Sequence, residues 1–298
     1  MHEKIVICIP TCNREKMLES LILKVIDNIK SFTSNINVDI NIVVVDNSID
    51  ESSRRYVENI NSEYVYYFSE KNRGYSNVRN RCLDEARNLN CKYIIFIDDD
   101  EYPANGWIES FYKKSKQGYD IIFGPVYPKF KNNKVPKWIV KNNFFIKDTE
   151  DYIKKPLLFT SNTFINLQSI KNIRFNQNFN TYGGEDVTFF NEVKRETNCV
   201  LGWCSDAIVY EIIPEERTKV RWFLKRAYNN GVSDVLTDKG NGEYVNIILK
   251  IIYNFLVGTI FLPICFLGNK YFVIKVLSKL YRSIGSMYSL LFIKYKQI

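Results

Sequence analysis

Tyr93-Ile94-Ile95-Phe96-Ile97-Asp98-Asp99-Asp100-Glu101 joins five apolar residues directly to four acidic ones. The apolar half does not alternate with polar positions, which marks a short strand covered on both faces, as in α/β sheets. The carboxyl ends of such strands carry the ligand crevice. Side chains two apart on an extended chain point the same way, so Asp98 and Asp100 can face one ligand together. Two carboxylates about 4 Å apart repel by roughly 1 kcal/mol in water and by several times that in less polar surroundings. A cation removes that cost. Behind a buried strand, a cation site is a better reading than a solvated acidic turn.

The preceding residues extend the same pattern. Ile5 to Ile9 is a short apolar run stopped by Pro10-Thr11, and Met17, Leu18, Leu21, Ile22, Val25, Ile26 and Ile29 follow at helical spacing. Ile40 to Val45 forms a second strand ending at Asp46-Asn47-Ser48, and Tyr64 to Phe68 a third after a polar helical stretch. Asn72-Arg73-Gly74 makes a turn into a helix over Tyr75 to Leu89, with Arg79 and Asn80 near its start. Strands alternating with helices over the first 100 residues or so predict an α/β fold, with a mainly parallel sheet and helices on both faces.

Composition limits the chemistry. At 298 residues, with 46% hydrophobic and 15% aromatic content, the chain can bury a full core. Seven cysteines without a Cys-x-x-Cys spacing read as free thiols in a reducing compartment. His2 is the single histidine, so a histidine triad or a His-rich zinc site is excluded and carboxylates must do the work. The first residues lack the parts of a signal peptide, which gives a cytoplasmic expectation. Of the formal net charge of +8, seven charges follow Glu243, the last acidic residue, and residues 1 to 243 carry only +1. A basic tail on a nearly neutral body argues against a nucleic-acid partner and for an anionic membrane surface.

Neither Gly-x-Gly-x-x-Gly nor a P-loop sequence is present, so a bound nucleotide must be held otherwise. Ile9-Pro10-Thr11-Cys12-Asn13-Arg14, Val43-Val44-Val45-Asp46-Asn47-Ser48, Asn72-Arg73-Gly74 with Arg79-Asn80, and Phe96-Ile97-Asp98-Asp99-Asp100-Glu101 occur in that order. In sequence and spacing they resemble family 2 glycosyltransferases of the GT-A (Rossmann-like) fold, over residues 4 to about 230. The resemblance implies an inverting enzyme that uses a nucleotide sugar, with a UDP-sugar the first choice. Pro10, Thr11, Arg14 and Gly74 would border the donor. Asp46 would accept a hydrogen bond from the base, Asp98 would lie by the ribose and Asp99 would contact the sugar. Asp100 would coordinate Mn²⁺ or Mg²⁺, hard cations suited to carboxylate and phosphate oxygens. Arg79 could add positive charge there; the alternative is an exposed residue on a helix face.

Tyr182-Gly183-Gly184-Glu185-Asp186-Val187 leads two glycines into a helix with acids in its first turn. Carboxylates gain roughly 0.3 to 1 kcal/mol from a helix dipole, an ordinary reason for them. In the resembling family this Gly-Glu-Asp motif carries the base that takes the acceptor's proton, which implies Asp186 in that role with Glu185 as second candidate. Many members carry histidine near Glu211, where this chain has glutamate, so Glu211 is a possible additional metal ligand or idle.

The organisation expected is a nucleotide-sugar half over 1–127, an acceptor half over 128–235 and a basic apolar helical tail over 236–298. Asp120 to Val126 reads as one strand and Pro128 to Asp151 as a long loop. Residues 247 to 267, if helical, extend about 31 Å, enough to cross a bilayer core, although Lys250, Asn254 and Pro263 weaken a spanning reading. Residues 271 to 292 set Lys275, Lys279 and Arg282 on one helical face, which looks interfacial. The preferred reading is attachment through residues 245–298 to the cytoplasmic face of the cell membrane; a packed helical hairpin and a homodimer interface compete. The function expected is transfer to a hydroxyl of a glycan or lipid-linked glycan in polysaccharide assembly. The alternatives are a sugar nucleotidyltransferase and a non-catalytic membrane adaptor that keeps a nucleotide-sugar pocket.

Overall fold

The computed structural model describes residues 3–33, 37–131, 135–148 and 158–296. The chain divides into two units. The first comprises Met1–Lys129, Phe145–Phe175 and Asp186–Ile212; the second comprises Phe130–Phe144, Asn176–Glu185 and Ile213–Ile298.

The first unit is built on β1 (Glu3–Thr11), α1 (Glu15–Thr33), β2 (Val38–Asp46), α2 (Arg54–Ile60), β3 (Val65–Ser69), α3 (Tyr75–Asn88) and β4 (Tyr93–Phe96). Every residue from Ile5 to Ile9 is fully buried, and since neighbours on a strand point to opposite faces, both faces of β1 are covered. In α1 the buried Leu18, Leu21, Ile22, Val25, Ile26 and Ile29 recur three or four apart, the stripe that seats a helix on a sheet. This bears out the α/β reading.

β5 (Glu101–Pro103), α4 (Trp107–Ser115), β6 (Ile121–Phe123), β7 (Val126–Phe130), β8 (Thr163–Asn166), α6 (Glu185–Glu196), β9 (Leu201–Trp203) and β10 (Val209–Ile213) follow, with α5 (Lys137–Lys141) between β7 and β8. The large sheet runs β3-β2-β1-β4-β8-β6-β9, and β5-β10-β7 form a small second sheet. Only β8 runs antiparallel to its neighbours β4 and β6; the remaining pairs of the large sheet are parallel.

Two expectations change here. The segment from Asp120 to Val126 is two strands in different sheets, because Asn162 draws the chain aside at Gly124-Pro125. Its side-chain amide donates to the Pro125 and Ala207 carbonyls at 2.9 and 2.7 Å, and its carbonyl accepts from Trp107 Nε1 at 2.7 Å. The stretch from Pro128 to Asp151 holds the end of β7 and all of α5 rather than one long loop; residues 132–134 and 149–151 of it lie outside the described residues.

Strand order positions the site. β2 and β3 lie on one side of β1 and β4 on the other, so the chain reverses its direction of travel at β1, where open α/β sheets bind ligands. Cys8 pairs with Phe96, and continuing that register brings the acidic run level with Pro10 and Thr11.

In the second unit α7 (Val220–Asn241), α8 (Tyr244–Phe261) and α9 (Lys270–Phe292) form a hairpin of helices. α9 lies against α7 at glycine contacts: a Cβ on Gly231 would stand 2.0 Å from the Arg282 carbonyl oxygen, and one on Gly285 would stand 2.1 Å from that of Tyr228. The apolar segment from 247 to 267 is therefore not one helix: α8 ends at Phe261, and Pro263 opens a separate 3₁₀ turn. Among the described residues α8 alone is long and apolar enough to cross a membrane, with a mean hydropathy of 1.6 and 17% of the span buried.

At the start of β1, the Glu3 carboxylate accepts hydrogen bonds from Lys92 and Tyr112, each at 2.7 Å, and from Lys116. Burial alone would push this carboxyl up; the bonds from Lys116, Lys92 and Tyr112 prevail and hold it at about 2, against an ordinary 4.5. A carboxylate depressed by folding stabilises above its unfolded pKa and loses that contribution as pH falls through the folded value. Glu3→Gln should therefore cost about 1 kcal/mol at pH 7, discounted for the exposed lysines. The gap to wild type should narrow steadily below pH 4.5 in urea titrations, and a gap independent of pH would contradict the clasp.

Candidate active site

Asp99 and Asp100 follow β4 and are almost fully buried, each 5% exposed. Thr11 Oγ1 donates to Asp99 Oδ2 at 2.8 Å. Arg14 Nη1 lies 2.6 Å from Asp99 Oδ1 and 2.9 Å from Asp100 Oδ2. The end of β1 and the acidic run are thus one assembly. Burial pushes the Asp99 carboxyl up, with Arg14 opposing and Asp100 adding to the rise. Burial likewise drives Glu101 well above the ordinary carboxylate range, reinforced by Asp98 and Glu211 and opposed by Lys147. Glu101 Oε2 accepts from the Asp98 backbone N–H at 2.9 Å, and Glu211 stands opposite Glu101 in the β5–β10 ladder.

Arg79 occupies the middle of this unit. It is 7% exposed, so the reading of an exposed helix residue is wrong. The neighbouring Asn80 explains why: its side chain exchanges hydrogen bonds of 2.9 and 2.8 Å with the Phe175 backbone, which fixes the rotation of α3 and turns Arg79 inward. Arg79 Nη2 lies 3.5 Å from Asp98 Oδ1, and its Nε lies 3.7 Å from Asp186 Oδ1. One guanidinium therefore bridges the acidic run and the acid at the start of α6. Burial pushes Asp98 up to about 6, against the pull of Arg79 and with the help of Asp100 and Asp186. Asp186 is held on its other side by Thr160, whose hydroxyl donates to Oδ1 at 2.9 Å and whose backbone N–H donates to Oδ2 at 3.2 Å.

The remaining residues singled out from sequence divide. Gly74 caps α3 with φ 145°, a conformation closed to most side chains, and its N–H donates to Asn47 Oδ1 at 2.8 Å. Asn47 also donates to the Glu70 and Asn72 carbonyls at 2.6 and 3.0 Å, tying the end of β2 to that turn. Pro10 pairs with Val45 at the same sheet edge. Asp46 is fully buried, and its carboxylate accepts from the Ser48 and Ser53 N–H groups and the Tyr67 hydroxyl. Its visible work is to shape the loop after β2. Glu185, the first residue of α6, is buried and falls in the second unit.

The family model described as Glycosyl transferase family 2 matches residues 6–174, more than half of the chain. The protein belongs to glycosyl transferase family 2. Similar family members include the succinoglycan biosynthesis protein ExoM of Rhizobium meliloti, 26% identical over 67% of this chain and 66% of that one. The GalNAc(5)-diNAcBac-PP-undecaprenol beta-1,3-glucosyltransferase of Campylobacter jejuni is 27% identical over 65% of this chain and 61% of its own length. The chain thus matches about two thirds or less of the length of these relatives. Among solved structures, the mannosyltransferase PcManGT of Pyrobaculum calidifontis, in complex with GDP-Man and Mn2+, superposes with a TM-score of 0.62 at 13% identity. That match covers 98% of this chain and 88% of the other. S. aureus TarS 1-349 in complex with UDP-GlcNAc gives 0.52 at 17% identity over 77% of this chain and 66% of its own. At these identities the likeness is one of fold.

For this family 2 chain, a divalent cation suits the acidic run: of its four consecutive carboxylates three are driven up by burial and mutual repulsion, which a hard dication relieves. Arg14, 39% exposed at its side chain, provides the positive charge beside them. Among the described residues no cluster of three or more His, Cys, Asp or Glu side chains forms a ready-made metal cage, so a cation here would draw further ligands from water or from a bound phosphate. Sequence reasoning missed Thr160, which had no motif around it. It also missed Lys147, whose Nζ donates to Ser161 at 3.0 Å and pulls against the rise of Asp98 and Glu101.

Removing one partner from a buried charge assembly costs about 3 to 5 kcal/mol. Arg79→Met should accordingly lower unfolding stability by about 3 kcal/mol, and adding Asp98→Asn should restore part of it in a double-mutant cycle. An Arg79→Met change within about 0.5 kcal/mol of wild type, as at an ordinary surface position, would show that the bridge carries no weight.

Proposed function

We propose that the protein is an inverting glycosyltransferase that moves a sugar from a nucleoside-diphosphate donor to a hydroxyl of a glycan or lipid-linked glycan. The observation that supports it most is the Arg79 bridge, which joins the acidic run at the donor end of the sheet to Asp186. Two carboxylates from elements far apart in sequence are held on one cation, an arrangement that suits an acid–base step beside a diphosphate. The named activity of the Campylobacter jejuni relative on a diphosphate-linked polyprenol agrees with such an acceptor. A UDP-sugar donor remains the first choice, in keeping with the UDP-GlcNAc complex of one structural neighbour.

Asp186 is the general base. An ionised carboxylate offers about four lone-pair sites; Thr160 takes two and Arg79 leans on a third, which leaves room for an acceptor hydroxyl. That hydroxyl gives its proton to Asp186 as its oxygen attacks the anomeric carbon. The bond from that carbon to the diphosphate oxygen breaks, and the nucleoside diphosphate leaves with the electron pair. One displacement inverts the anomeric configuration. Asp98, Asp99, Pro10, Thr11 and Gly74 border the donor, and Arg14 and Arg79 set positive charge near its phosphates. Mn²⁺ or Mg²⁺ held at Asp100, with Glu211 as an additional ligand, would neutralise charge on the leaving group when bound.

Attachment to an anionic cytoplasmic membrane surface is part of the proposal. Tyr253, Ile248, Leu249, Ile252, Phe255 and Ile260 of α8 are about half exposed or more, and exposed apolar faces of this extent mark interaction surfaces.

General bases contribute typically about 10² to 10⁴-fold. Asp186→Asn should therefore reduce sugar transfer at least about 100-fold, while nucleotide-sugar affinity measured by calorimetry stays near wild type. Near-normal turnover in this variant would remove Asp186 from the chemistry.

A further inference from the structure

Between α7 and α9 lies a groove of about 290 Å³, near the lower end of small-molecule pockets at about 300 Å³. Its walls include the aromatic rings of Trp222 and Phe223 and the cations Arg226, Lys275, Lys279 and Arg282. The basic face expected to lie on a membrane as an open stripe is thus folded against α7. α9 is fixed in that position by the glycine contacts and by Arg282, whose guanidinium meets the Asp234 carboxylate at 2.6 and 2.9 Å.

The charges do not balance. Asp234 answers Arg282, but Lys275 and Lys279 have no carboxylate within ion-pair distance among the described residues. Instead they rest on aromatic faces, Lys275 at 4.8 Å from the Tyr271 ring and Lys279 at 4.8 Å from that of Tyr253. Burial first, then the adjacent Arg282 and Lys275, hold the Lys279 ammonium below its usual value, with Asp234 opposing; Lys275, Lys279 and Arg282 crowd around that one carboxylate. An anion would relieve the crowding. The aromatic wall continues through Phe144, 4.8 Å from Phe223 and 5.6 Å from Tyr271 between ring centroids. Tyr253, under Lys279, belongs to the exposed apolar row of α8 and is itself 58% exposed. The cations therefore stand beside both an apolar wall and an exposed apolar surface.

We propose that this groove binds the phosphate or diphosphate head of a membrane lipid, with Lys275 and Lys279 on the phosphate oxygens and Trp222 and Phe223 against the first apolar carbons. This deepens the membrane attachment proposed above and rests on it. Lys and Arg pair with phosphate through charge-assisted hydrogen bonds, and each basic residue near an anionic surface adds about 1 kcal/mol. A groove gathers those contributions on one head, which a diffuse basic patch cannot do.

The test is co-sedimentation of the full chain with vesicles of three compositions: phosphatidylcholine alone, phosphatidylcholine with phosphatidylglycerol, and phosphatidylcholine with a few mole per cent of a polyprenyl diphosphate. Lys275→Gln with Lys279→Gln is compared with Lys270→Gln and Lys294→Gln, which removes equal charge outside the groove. Thermal melting confirms that both variants fold. The groove pair should lose at least tenfold in affinity for a phosphate-bearing vesicle, with the control pair within about threefold of wild type, and the vesicle showing the greater loss identifies the source of the head. Equal losses in both pairs, or none in the groove pair, would overturn the proposal. Calorimetric binding of nucleotide sugars to the same preparations separates the two readings. If wild type binds no donor while lipid binding still depends on Lys275 and Lys279, the transferase reading fails and the groove stands.

Discussion

Two guanidinium groups make a buried run of carboxylates tolerable. Asp99, Asp100 and Glu101 are each no more than 5% exposed, a placement that costs several kcal/mol per ion without compensation. Arg14 answers Asp99 and Asp100, and Arg79 answers Asp98 and Asp186. Their location follows from the sheet. Only where β4 lies directly beside β1 does the acidic run come level with Thr11 and Arg14, and only with α3 pinned at Asn80 does Arg79 point inward.

The same constraint accounts for the shape of the surrounding loops. Asp46 ends β2 and spends its carboxylate on the loop that follows, while Asn47 ties that loop to the turn before α3. Because Gly74 adopts a backbone conformation open to glycine, the chain can enter α3 at the angle that presents Arg79. On the far side, Asn162 gathers α4, the Gly124-Pro125 turn and the Ala207 carbonyl, which steadies the segment carrying Thr160 and through it Asp186. Each polar group in this shell holds another in place, so the site depends on rigid elements more than on its own loops.

Much of the first unit was legible because its signals are local. The unbroken apolar run from Ile5 to Ile9 and the helical spacing from Leu18 to Ile29 are properties of adjacent residues, and they gave strand, helix and sheet type directly. Four motifs in register gave the family. The small sheet of β5, β10 and β7 was not legible, since its strands are short and owe their form to pairing between segments far apart in the chain, as between Glu101 and Glu211. Arg79 was ambiguous for the same reason: its burial depends on a bond between Asn80 and a residue 95 positions away. In the tail, the spacing of Lys275, Lys279 and Arg282 showed a common face, but that face turns toward α7 because of Gly231 and Gly285, which a periodicity cannot reveal.

We propose the acidic run and its two arginines as the donor site. Calorimetric titration of a panel of nucleotide sugars into wild type and Asp100→Ala, each with Mn²⁺ or Mg²⁺, tests it most directly, with nucleoside diphosphate release followed in parallel. Wild type should bind at least one donor in a cation-dependent way, and Asp100→Ala should lose that binding. Failure of every donor to bind or react, or equal binding by the two proteins, would contradict it and return the acidic run to a structural turn.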